Sequence, residues 1–174
     1  ESRSLLESIV RSDSHTDDNR SASLNMLVES LGRSEFDRLL DLARVIKDGP
    51  ILAKILSHIG NHKQLRAATF LLAKLDSNDG EVRASAIRAL ATTRSSAAAP
   101  RIALLLLDAD VRVRRAAASA AGPLNASPAV DSLLAMASDS DSATRRGCFQ
   151  SLMDLNAGGA VDMAVASLEN PEIQ

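Results

Sequence analysis

The sequence predicts an all-α chain built as an array of antiparallel helical hairpins. Three observations predict it: an internal repeat of about 31 residues, apolar residues at helical spacing within each unit, and a near absence of aromatics. The segment Asp79-Gly-Glu-Val82-Arg83-Ala-Ser-Ala86-Ile87 aligns with Asp110-Val-Arg-Val113-Arg114-Arg-Ala-Ala117-Ala118, and again with Asp141-Ser-Ala-Thr144-Arg145-Arg-Gly-Cys148-Phe149. The two offsets are equal, from position 79 to 110 and from 110 to 141, without insertion. The segments between them repeat as well: Val130-Asp131-Ser-Leu133-Leu134 matches Val161-Asp162-Met-Ala164-Val165, and Ile102-Ala103 stands where Leu133-Leu134 stands one unit later.

Each unit holds two helices. In the second, Val82, Ala86 and Leu90 fall at i, i+4 and i+8 on one face. Asp79, Asp110 and Asp141 stand just ahead of that run, where an N-cap carboxylate accepts from free N–H groups and meets the helix dipole favourably. Pro100 and Pro128 lie near the starts of first helices, where a missing N–H costs little. Gly122 and Gly158-Gly159 mark turns. Two helices of about 11–13 residues with short connections fill such a unit.

Upstream the period blurs but hairpins continue. An apolar-periodic helix is expected over 62–75, with Leu65, Ala68, Thr69, Leu72 and Leu75 on its face. Helices over 35–47 and 51–59 form another pair, separated by Asp48-Gly49-Pro50, which a continuous helix does not cross. Residues 22–31 form a short amphipathic helix ending at Gly32, and the polar stretch 11–21 reads as a loop or a frayed helix start. The expectation is about eleven helices and no strands. Residues 1–61 are the irregular N-terminal hairpins, and 62–174 the regular repeats.

The chain has 174 residues, a net charge of −2 and a pI near 5.9, with 45% hydrophobic residues but only 2% aromatic, namely Phe36, Phe70 and Phe149. That composition supports a packed core and excludes wholesale disorder. A near-neutral balance supplies no global field for nucleic acid or anionic membrane. Without Trp or Tyr there is no stacking platform for bases and no aromatic cage for quaternary amines. The single Cys148 excludes an internal disulfide, and no apolar run approaches membrane-spanning length. A cytoplasmic, reducing setting follows as the expectation. The chain begins without Met, and 168–174 repeats the inter-helix turn before stopping where the next second helix would start. Both features point to a piece of a longer array, unless this end caps it.

The pattern Leu-Asp-x-(x)-Asp-x-x-Val-Arg-x-x-Ala, over 75–86 and 107–117, resembles the signature of HEAT repeats, and the short unit is similar to the compact variety associated with phycobilisome lyases. The resemblance is specific over 62–174 and general over 1–61. It implies a right-handed α-solenoid of armadillo type that binds other proteins along the surface lined by its second helices, with no catalysis and no cofactor. Nucleic-acid binding and a phycobilin lyase-like accessory role are the alternatives.

Candidate residues follow from the repeat. The resemblance implies that Arg83, Arg114 and Arg145 form a structural ladder with Asp79, Asp110 and Asp141; the alternative is an anion-facing stripe, since guanidinium forks suit carboxylates and phosphates. Arg115 and Arg146 differ, because their counterpart one unit earlier is Ala84 and folding should not demand charge there. With Arg88, Ser119 and Gln150 they make up the candidate partner-binding face. A nucleic-acid site would use Arg112, Arg114, Arg115, Arg145 and Arg146, although the C-terminal end is acidic. His58 and His62 have the i, i+4 spacing of a metal pair, but Gly60-Asn61 suggests a helix boundary between them, and no metal site is expected. Cys148 shares its register with Ala86 and Ala117, a packing position.

Overall fold

The computed structural model of the protein describes residues 2–32, 35, 37–61, 65–157, 159 and 162. Among them are ten α-helices and no strand: α1 (Ser2–Arg11), α2 (Asp17–Ser30), α3 (Asp37–Val45), α4 (Pro50–Asn61), α5 (Ala68–Ala73), α6 (Gly80–Thr92), α7 (Ala99–Leu105), α8 (Val111–Ala120), α9 (Val130–Met136) and α10 (Ser142–Asp154). The all-helical expectation holds. The last expected first helix, around Val161, lies outside the described residues. By contacts the chain divides into two units, Glu1–Ala89 and Leu90–Gln174. The boundary at 61/62 is a feature of the repeat in the sequence, whereas this division falls inside α6.

In the first unit α1 packs on α2, α2 on α4, and α3 on α4. The structure adds α1 ahead of the first helix that the pattern marks, and it starts α2 at Asp17 rather than at 22. Residues 12–16 of the polar stretch form the turn between α1 and α2, and from Thr16 onward it is helix-start chemistry. The Thr16 hydroxyl accepts from the Asn19 N–H at 3.3 Å, and Asp17 and Asp18 stand in the first turn, where carboxylates are favourable. Arg20 then reaches back, its Nε donating to the Val10 carbonyl at 3.0 Å. Pro50 is the first residue of α4, consistent with a helix beginning there. Lys47 bonds Asp13 at 2.6 Å, while Lys74 bonds Asp48 at 2.6 Å, joining the α3–α4 turn to the turns on either side in sequence.

The first helix of each regular unit has a shared construction. A single 3-10 turn leads into a short α-helix: Leu65–Ala67 before α5, Ser96–Ala98 before α7, Ser127–Ala129 before α9. Ala67, Ala98 and Ala129 are buried; so are Leu71, Ile102 and Leu133, and so are Leu75, Leu106 and Ala137. Each set recurs with the period of the repeat. This corrects the face expected for 62–75: Thr69 is exposed and Leu72 half-buried, and the core contacts are Ala67, Leu71 and Leu75. The mixture of 3-10 and α turns shifts the phase that a uniform α-helical period assigns.

The second helices follow the same rule. Val82/Val113/Thr144, Ala86/Ala117/Cys148 and Leu90/Ala121/Leu152 are all fully buried. Small residues let helices approach closely. In the second unit α8 packs on α10 and each packs on its own first helix, α7 and α9. A Cβ placed on Gly147 would come within 3.0 Å of the Ala118 Cβ and the Ser119 Oγ. The Ser151 hydroxyl donates to the Ala118 carbonyl and accepts from the Gly122 N–H at 3.0 Å, locking the same interface.

Each second helix also ends alike. Arg94, Asn125 and Asn156, each one repeat from the next, have φ of 51°, 53° and 54°. The next N–H closes back onto the helix: Ser95 to the Leu90 carbonyl, Ala126 to Ala121, Ala157 to Leu152. Asn tolerates this left-handed position better than a long side chain does. Arg94→Gly is accordingly expected to stabilise the chain by about 1 kcal/mol, visible as a higher thermal midpoint, whereas Asn125→Arg should lower it.

Candidate functional site

The turn before each second helix is built from two acidic or hydroxyl rows and one arginine row. Asp79 accepts from the N–H groups of Glu81 (2.8 Å) and Val82 (3.1 Å), Asp110 from Arg112 (2.8 Å), and Asp141 from Thr144 (2.8 Å). These are the expected N-caps. Two residues earlier, Ser77, Asp108 and Asp139 accept from the N–H groups of Asp79, Asp110 and Asp141 at 3.1, 2.8 and 2.7 Å. This second row was open to the repeat alignment, with Ser standing for Asp in the first unit.

Arg83, Arg114 and Arg145 fold back onto these turns. Their Nη1 atoms donate to the carbonyls of Ser77 (2.8 Å), Asp108 (3.1 Å) and Asp139 (2.8 Å), six residues behind in each case. Arg114 also reaches forward, with Nε on the Asp139 carboxylate at 2.9 Å. The partner of Arg114 in the next unit is thus Asp139, not the N-cap Asp141 that the ladder reading assigns. Asp141 is taken by Arg115, through Nε at 2.8 Å and Nη2 at 2.5 Å. Arg115 therefore ties two successive repeats of the second unit together, which corrects the expectation that folding places no demand on it. Its guanidinium, aided by the Thr144 N–H and hydroxyl, holds the Asp141 carboxyl well below the usual carboxylate range, against the opposing effect of burial.

The remaining candidates sit on the second helices. Arg88 is exposed on α6, in the first unit, with Nη2 on the Ser85 hydroxyl at 3.2 Å. In the second unit Ser119 on α8 and Arg146 and Gln150 on α10 are exposed, and the Gln150 amide donates to Asp154 at 2.9 Å. Of the five arginines proposed for nucleic acid, Arg112 pairs with Asp110 at 2.7 Å, Arg114 with Asp139 and Arg115 with Asp141, while Arg145 donates to turn carbonyls. Arg146 alone makes no hydrogen bond or ion pair among the described residues.

Reactive chemistry is scarce. Burial pushes the Cys148 thiol up to about 12, with the Asp139 charge adding to it, so it is no nucleophile at neutral pH. His58 lies on α4, which ends at Asn61, at the boundary that Gly60-Asn61 suggests; His62 lies outside the described residues. No group of three His, Cys, Asp or Glu among the described residues could hold a metal ion. A surface cleft lined by Asp13, Asp17, Arg20 and Lys47 has its charges paired across its own wall. No helix among the described residues is long and apolar enough to cross a membrane.

A family profile described as HEAT repeats matches residues 68–153, from the first residue of α5 to the penultimate residue of α10. Residues 68–153 carry HEAT repeats. No curated protein matches it. The HEAT match covers the three hairpins in which the turns, caps and buried registers recur with one period, and it leaves the likeness to the phycobilisome-lyase variety resting on the length of that period.

Proposed function

We propose that the chain is a non-catalytic interaction module: a right-handed α-solenoid of HEAT hairpins, working in the cytoplasm, that holds a partner protein along the surface lined by its second helices. One observation carries this reading. Ser119 of α8 and Gln150 of α10 are exposed in the same register, Arg146 is exposed one turn earlier on α10, and neither Arg146 nor Gln150 takes part in the Gly147–Ala118 and Ser151–Ala118 contacts that pack these helices. HEAT repeats commonly serve as protein-binding scaffolds, and stacked hairpins give an extended surface for that purpose. Arg88 on α6 belongs to the corresponding surface of the first unit.

Nucleic acid is the weaker reading, because the chain has a net charge of −2 and no Trp or Tyr to stack on bases, and Arg112, Arg114 and Arg145 already donate to carboxylates or turn carbonyls. The lyase-like accessory role has no residue that speaks for it.

The test is affinity capture from the native source with the wild-type chain and with the triple variant Ser119→Ala/Arg146→Ala/Gln150→Ala. These substitutions preserve helix propensity at exposed sites, so thermal unfolding should stay within a few degrees of wild type. Proteins retained by the wild type should be lost by the variant. An unchanged set of captured proteins removes this surface from the proposal, and a mobility shift of duplex DNA at low salt would favour the nucleic-acid reading instead.

A further inference from the structure

We infer that the α8–α10 surface takes an acidic segment of its protein partner, with Arg115, positioned by Asp141, and Arg146 as its two carboxylate contacts. This rests on the protein-binding reading and names the chemistry of the partner. The argument begins with donor and acceptor balance. Arg115 and Ser119 are four residues apart on α8, and Arg146 and Gln150 stand in the same registers of α10. Four residues of helix rise about 6 Å, and helices in contact lie about 8–10 Å apart. Four exposed side chains, two of them guanidinium groups, therefore share one small patch.

Of the carboxylates near this patch, Asp139 and Asp141 are already committed to Arg114 and Arg115, and Asp154 accepts from the Gln150 amide at 2.9 Å. Asp141 accepts from the Thr144 N–H and hydroxyl as well as from Arg115, and it stands at the N-terminus of α10, where the helix dipole offsets its charge. Asp139 is held by Arg114 and by the Asp141 N–H. The pair with Asp141 does not exhaust Arg115. A guanidinium has five N–H donors, and the contact uses one on Nε and one on Nη2, leaving the two on Nη1 and one on Nη2. Asp141 thus fixes the orientation of Arg115 before any partner arrives, which lowers the ordering cost of binding. Arg146 adds a second cation in the next repeat, unengaged among the described residues. Two such guanidiniums, flanked by the Ser119 hydroxyl and the Gln150 amide, suit side-chain carboxylates and an adjoining peptide backbone. The contrast with Ala84, which stands in the Arg115/Arg146 register one repeat earlier, limits this device to the later repeats.

The test uses the purified chain and a fluorescent twelve-residue poly-glutamate peptide, followed by anisotropy at low and at physiological salt. Wild type is expected to bind it, Arg146→Glu to weaken binding at least tenfold, and Arg115→Lys, which keeps the charge but loses the fork held by Asp141, to weaken it severalfold. Arg11→Glu changes an exposed arginine on α1 by the same charge and should stay within about twofold of wild type. Failure of wild type to bind, equal losses from Arg146→Glu and Arg11→Glu, or preference for a duplex DNA oligomer over the peptide would each overturn the inference. If the triple alanine variant still loses its captured proteins while poly-glutamate does not bind, the acidic chemistry is wrong and the binding surface stands. If poly-glutamate binds as expected but capture is unaffected by the triple variant, it is the surface reading that fails, and this inference with it.

Discussion

Replacing Arg114 with alanine is expected to destabilise the chain by about 3 kcal/mol, the low end of the cost of stripping one partner from a buried ion pair. Arg114 stands between two consecutive turns of the second unit. Behind it, Nη1 donates to the carbonyls of Asp108 at 3.1 Å and Ala109 at 3.2 Å; ahead of it, Nε donates to Asp139 at 2.9 Å. The Asp139 side chain is only 5% exposed, so truncation leaves a carboxylate in a place water barely reaches. Its other oxygen still receives the Asp141 N–H, which offsets part of the loss. Arg114 itself is 19% exposed, and the space it vacates admits some solvent, which is why the lower end of the range applies. Arg114→Lys should recover part of the difference, because a single ammonium can face either the carbonyls or the carboxylate but lacks the fork that spans both. Urea unfolding monitored by circular dichroism measures all three chains. A midpoint for Arg114→Ala within experimental error of wild type would show that the turns are held without it. Arg115→Glu is expected to be destabilising too, because it sets a second carboxylate against Asp141 where a guanidinium now sits.

The contrast between these two arginines shows what the sequence carried and what it did not. The N-caps Asp79, Asp110 and Asp141 were legible because capping is local: residue type and the three residues that follow decide it. The buried second-helix registers were legible for a similar reason, since those helices keep a uniform α period through Val113, Ala117 and Ala121. Arg115 was misjudged because its partner lies 26 residues ahead, across a helix-to-helix contact whose offset no one-dimensional alignment supplies. The first-helix face was displaced because 3-10 turns at its ends advance the chain by a different angle per residue. Comparing Leu71 with Ile102 and Leu133 by the repeat, rather than applying a helical wheel to 62–75, would have found the right residues. The same comparison exposes the helix-ending row of Arg94, Asn125 and Asn156, whose left-handed backbone two of the three residue types announce. Phe149, the ring that breaks the small-residue pattern set by Ala118, is only half-buried, so it does not replace alanine in the same packed space.

Gly60→Ala is expected to destabilise the first unit by about 2–3 kcal/mol, although glycine-to-alanine changes inside helices ordinarily stabilise by about 0.5–1 kcal/mol. Gly60 is the penultimate residue of α4, and it is buried. A Cβ at this position would lie 2.7 Å from the Ala89 Cα and 2.9 Å from the Ala89 Cβ. No flexible side chain can swing aside there, because the obstacle is the main chain of α6, and relief requires α4 and α6 to move apart. Ala89 belongs to a register of small buried residues that continues as Ala120 and Ser151, so the close approach is part of how these helices are packed. Combining Gly60→Ala with Ala89→Gly separates the two obstacles. Removing the Ala89 Cβ relieves the 2.9 Å contact and leaves the 2.7 Å contact with the Cα, so the double variant should recover only part of the loss, even after allowing about 1 kcal/mol for a glycine inside α6. Full recovery in a double-mutant cycle would mean that the methyl groups alone set the spacing. A rise in stability for Gly60→Ala by itself would mean that α4 and α6 do not approach this closely in solution.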